Sequence, residues 1–124
     1  MNNKIMIIDD EADTLVLLKR FLEERGFEVQ CFRTGKEGLD EVKNFNPHLI
    51  LLDWRMPEID GMEVFGRLRL DQETAHIPVM FITARTMMGD IEKAMEIGVD
   101  DYICKPLELE TLLHRIRKLL KVGV

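Results

Sequence analysis

Long apolar runs are missing from this chain. The longest, Ile5 to Ile8 and Leu49 to Leu52, fall far short of the ~20 residues a helix needs to cross a bilayer. A secretory leader is not expected, since Met1-Asn2-Asn3-Lys4 runs through a short apolar stretch straight into Asp9-Asp10. The expected location is therefore the cytoplasm. Cysteine is scarce: Cys31 and Cys104 stand alone and far apart, without CxxC or metal-ligand spacing, and read as small buried apolar residues in a reducing compartment. The histidines His48, His76 and His114 are equally scattered, whereas a zinc site needs them grouped. Positive charge is also in deficit, with 17 basic against 23 acidic residues and a net charge of −6. A domain that acidic is a poor candidate for binding nucleic acid through phosphate neutralisation, and no direct nucleic-acid binding is expected.

What is present is a balance of 46% hydrophobic and 32% charged residues over 124 positions, enough for one globular domain over residues 1–124 with a sizeable core. Five short β-rich runs recur: Ile5 to Ile8, Phe27 to Phe32, Leu49 to Leu52, Pro78 to Ile82 and Tyr102 to Cys104. Helical periodicity fills the gaps. Leu15, Leu18 and Leu22 form one stripe ending near Gly26, and Leu109, Leu112, Leu113, Ile116, Leu119 and Leu120 form the last. Between them lie helices expected over 36–44, 62–70 and 88–97, with Gly98 as a C-terminal stop. Several strands are apolar almost without interruption, the mark of a parallel sheet covered on both faces. Strand and helix repeated in this way predict a doubly wound α/β domain with right-handed crossovers. There is no long linker or low-complexity tract, and a second domain is not expected after the last helix.

Ligands of such sheets bind at the carboxyl ends of the strands. Here the ends read Asp9-Asp10-Glu11, Asp53, Thr83-Ala84 and Lys105-Pro106. Each has an ordinary reading. Asp9 and Asp10 suit a helix cap, Asp53 a turn, Thr83 any strand end, and Lys105 a solvated charge. Brought to one edge, however, the carboxylates would raise one another's pKa unless a cation intervened. Mg²⁺, with oxygen ligands and retained waters, suits such a cluster. A Gly-rich phosphate loop is absent after the first strand, as is GxxxxGK[ST]. No His stands near a strand end to serve a Ser or Cys nucleophile. Metal, carboxylate and lysine remain, a set able to bring a phosphoryl group to an Asp.

These residues, together with Met56-Pro57, Gly61 and Tyr102, resemble the response-regulator receiver domain of two-component signalling along essentially the whole chain. The resemblance implies a flavodoxin-like three-layer sandwich: five parallel strands in the order 2-1-3-4-5 with five helices. It implies that Asp53 takes a phosphoryl group from a phosphohistidine of a sensor histidine kinase or phosphotransfer protein. Asp9, Asp10, Asp53 and the carbonyl of Arg55 would hold Mg²⁺, while Lys105, Thr83 and the Ala84 N–H would meet phosphoryl oxygens. It further implies a cis Lys105-Pro106 bond, a switch made of Thr83 and Tyr102, and an output face of helix 4, strand 5 and helix 5.

Arg55 and Arg85 lie two residues past Asp53 and Thr83. Either they are solvated charges or they shield the phosphoryl group and tune its lifetime. Met87, Met88, Ile91 and Met95 follow helical spacing and are read chiefly as core, with an adaptable partner surface as the alternative. A phosphatase built on an Asp nucleophile would present a general acid where Arg55 stands. The expectation is thus a switch rather than a dedicated enzyme, acting on a downstream effector or on an output domain of a longer regulator.

Overall fold

The computed structural model describes residues 3–84 and 88–121, the side chains of 88–91 excepted. Five strands alternate with five helices: β1 Lys4–Ile8, α1 Ala12–Glu23, β2 Glu28–Phe32, α2 Gly35–Phe45, β3 Leu49–Asp53, α3 Gly61–Leu70, β4 Val79–Thr83, α4 Met88–Glu96, β5 Asp101–Cys104 and α5 Leu109–Leu120. The strands form one parallel sheet in the order β2-β1-β3-β4-β5. Arg85 and Met87 lie outside the described residues.

The unbroken apolar strands follow from burial on two sides. Ile5, Ile7, Leu49, Leu51, Met80 and Ile82 face α1 and α5. Their alternates Met6, Ile8, Ile50, Leu52, Val79 and Phe81 face α2, α3 and α4. Successive side chains of a strand point to opposite faces, so with both faces covered the central strands β1, β3 and β4 are apolar up to their ends, while the edge strand β2 exposes Glu28 and Gln30. The two layers share no residue.

Helix ends follow their sequence signals. Thr34 caps α2 by accepting from the Glu37 N–H at 3.1 Å, and Asp60 caps α3 by accepting from the Glu63 N–H at 3.0 Å. Gly26 and Gly98 adopt positive φ of 92° and 87° after α1 and α4, conformations that cost glycine least. At Gly98 the chain closes with the Gly98 N–H on the Met95 carbonyl and the Val99 N–H on the Ala94 carbonyl.

The sheet has two edges, β2 and β5, and helical side chains cap both. Lys19 of α1 donates to the Val29 carbonyl at 3.0 Å. Arg115 of α5 donates to the Tyr102 carbonyl at 2.6 Å, and the Asp101 side chain takes the Tyr102 N–H at 2.8 Å.

Two expectations need correction. The cysteines are half-buried rather than buried. Cys31 lies on the edge strand β2, where partial burial lifts its thiol to about 11, with Lys19 opposing and Glu23 assisting. Met95 is 53% exposed, while Ala94 beside it is buried in the layer over the sheet; the side chains of Met88 and Ile91 lie outside the described ones.

Candidate functional site

Strands β1, β3, β4 and β5 deliver Asp9, Asp53, Thr83 and Lys105 to the carboxyl edge of the sheet. Asp9 follows β1 directly, and its N–H is held by the Phe32 carbonyl at 3.0 Å. Asp53 closes β3 in register with Ile82 of β4, and Thr83 stands in register with Cys104. The Lys105 N–H meets the Thr83 carbonyl at 2.7 Å, and the Lys105-Pro106 peptide is cis. Parallel pairing thus sets these groups at one level.

Asp9, Asp10 and Asp53 each offer an oxygen, and the three oxygens lie within 4.8 Å of one another. Asp9 and Asp53 are buried. Neither Asp9 nor Asp10 occupies the N-cap of α1; that position is Glu11, whose side chain makes no capping bond. Asp9 Oδ1 instead accepts from the Glu11 N–H at 2.8 Å. Asp9 Oδ2, fully buried, finds no hydrogen-bond donor among the described residues. Its neighbour is the Lys105 ammonium, an ion pair at 3.0 Å outside hydrogen-bond geometry. Lys105 Nζ also pairs closely with Glu11 and stands 3.9 Å from Asp53 Oδ2.

The electrostatics follow from this crowding. Burial, then the charge of Asp9, lifts the Asp53 carboxyl to about 7; Lys105 opposes the shift, and Asp10 adds to it. Burial by itself would lower the Lys105 ammonium, but the close carboxylates of Glu11 and Asp9 and the charge of Asp53 outweigh it and raise its pKa. A buried carboxylate oxygen without a donor, inside a cluster of three acids, fits a hard divalent cation. It does not fit an anionic cofactor.

The surroundings shape access. Trp54 is buried, stacks on Phe81 at 5.1 Å between centroids and packs in the α2–α3 layer, where it also borders the depression beside Asp10. Gly61 packs against the Asp53 carbonyl, and a Cβ there would come within 2.9 Å of the Trp54 Cα. Only glycine lets the chain return this close to the site. Arg55 is exposed on the loop after β3, where it lines a shallow depression with Asp10, Met56, Pro57 and Asp60. Ala84 is exposed just past Thr83, and Tyr102 is half-buried against the α2–α3–α4 layer.

Two neighbours of the site escaped the sequence reading. Glu11 reaches Lys105 across 94 positions. Arg33, after β2, donates to the Asp10 carbonyl at 3.0 Å. Glu11 continues an acid run that already had a reading, and the exposed Arg33 follows the edge strand, so neither carried a signal of its own.

The sequence model of the response regulator receiver domain matches residues 5–117. The chain belongs to the response regulator receiver family. Receivers act in phosphorylation-dependent two-component signalling, and this receiver has relatives of two lengths. The polar-differentiation response regulator DivK of Brucella abortus is 36% identical over 120 residues, covering 97% of this chain and 98% of that protein. The DNA-binding dual master transcriptional regulator RpaA of Synechocystis is 39% identical over 118 residues, covering 95% of this chain but 49% of that protein. Among solved structures, the CheY-like receiver domain protein of Methanospirillum hungatei superposes with a TM-score of 0.89 at 27% identity, over 98% of this chain and 95% of that one. No described helix is long and apolar enough to cross a membrane.

Proposed function

We propose that this receiver takes a phosphoryl group on Asp53 from the phosphohistidine of a sensor kinase or phosphotransfer protein, and thereby changes its affinity for a downstream effector or output domain. One observation carries the reading: Asp53 is buried at a strand end beside two further aspartates and a lysine ammonium. Asp9, Asp10, Asp53 and the Arg55 carbonyl are the groups that would hold Mg²⁺, whose charge neutralises the acids and the incoming phosphoryl oxygens. Asp53 is the nucleophile through its carboxylate oxygen. Lys105 supplies a compact positive charge to one phosphoryl oxygen, and the Thr83 hydroxyl and Ala84 N–H donate to others. Most of the rate gain comes from position and charge rather than from proton transfer.

Thr83 is drawn toward the phosphoryl group, and the half-buried Tyr102 takes up the space it leaves. The readout face is α4, β5 and α5. Phosphorylation shifts this pair only by what the group gains in one state over the other. The protein is a cytoplasmic switch that catalyses its own modification and its slow reversal, not a dedicated enzyme.

The test is intact mass after incubation with acetyl phosphate and Mg²⁺, beside Asp53→Asn. A single phosphoryl adduct that needs Mg²⁺ and is absent from the variant is expected. An adduct of undiminished yield on Asp53→Asn would refute the assignment.

A further inference from the structure

Glu11 and Lys105 form a contact at the site that the proposed phosphoryl transfer leaves unexplained. The Lys105 ammonium, 17% exposed, sits between Glu11 on one side and Asp9 at 3.0 Å on the other, with Asp53 farther off at 3.9 Å. Its nearest partners are thus the acids after β1, with the candidate nucleophile farther off.

The two β1-end acids are not equivalent. Asp9 is buried, and its Oδ1 holds the Glu11 N–H. Its position is fixed by the start of α1. The Glu11 side chain is 60% exposed and gives the helix no capping bond. It can turn into water without leaving a helix end or a buried group unsatisfied. An exposed ion pair is weak and easily exchanged, whereas a phosphoryl group offers several charged oxygens at once.

We infer that Glu11 is a positioning residue, a latch that holds the Lys105 ammonium in the resting site and releases it to the phosphoryl group on Asp53. The inference rests on the phosphoryl reading of Asp53. The latch slows entry, because each transfer must displace one ion pair and because the Glu11 charge stands at an already acidic mouth. It leaves the modified state alone, since Lys105 has by then changed partners.

The experiment compares the rate of adduct formation from acetyl phosphate and Mg²⁺ in the unmodified chain, Glu11→Gln and Glu11→Asp. Glu11→Gln is expected to react about two- to fivefold faster, the range that an exposed ion pair commands. Adduct loss after removal of the donor should be unchanged. Glu11→Asp keeps the charge but is one methylene shorter, so it should resemble Glu11→Gln if the latch is a contact. The ¹⁵Nζ resonance of Lys105 should shift on Glu11→Gln before any phosphorylation. Adduct on all three proteins at equal rates, or Glu11→Asp behaving as the unmodified chain, would overturn the latch and leave the Asp53 reading standing. No adduct on any of them would overturn both.

Discussion

Burial of Asp53 beside Asp9 disfavours its ionised form, and Lys105 at 3.9 Å offsets only part of that. A carboxyl raised from 3.8 to about 7 on folding is held protonated by the fold. Its contribution to stability is complete below the unfolded value and is lost as pH climbs through the folded one. Without divalent metal, Asp53→Asn should therefore be the more stable protein at about pH 8, by on the order of 2 kcal/mol, with the gap closing toward about pH 4. Thermal melts of the two proteins across that range check it; a gap that ignores pH would remove Asp53 as its source. At this scale the sequence was legible wherever a residue ends a strand. Asp9, Asp53, Thr83 and Lys105 all do, and strand direction alone brings them together. The Lys105–Glu11 pair was not legible, because which of three consecutive acids meets the ammonium is set by how β1 turns into α1.

Among the elements, the helices show how local chemistry sets a boundary to within a residue or two. The apolar spacing places α3 at Met62, but Asp60 caps it and draws Gly61 into the first turn. Asp60→Ala should cost about 1 kcal/mol, read as a lower urea midpoint with unchanged slope; no change would mean that packing of Val64, Phe65 and Leu68 alone defines the start. The central strands were legible from their continuous apolar character, since the two layers bury both of their faces; the edge strand β2 keeps Glu28 and Gln30 in solvent. Helix α4 was the least legible. Of its stripe of Met and Ile, Met95 points to solvent, while the neighbouring Ala94 is buried against the layer over the sheet. Periodicity finds a helix more readily than it finds which edge of a broad stripe is inward.

Taken whole, the molecule carries a net charge of −6 and gathers three of its acids at one sheet edge. A divalent cation bound only by the folded state should raise its stability, by about 2.7 kcal/mol at about 100 times the dissociation constant. On the reading above, Mg²⁺ should raise the melting temperature of the unmodified chain and do so less in Asp53→Asn; an equal rise in both would place the cation elsewhere. The last consequence belongs to molecules meeting one another. An open sheet is a template at both sides, and a neighbour's strand can continue it indefinitely. Here Lys19 occupies one outward carbonyl of β2, and Arg115 with Asp101 occupies both backbone groups of Tyr102. A second molecule arriving at either side meets a charged side chain where it needs a hydrogen-bonding partner. Growth of one sheet into the next is opposed at these positions, since an incoming strand must first displace a bonded charge.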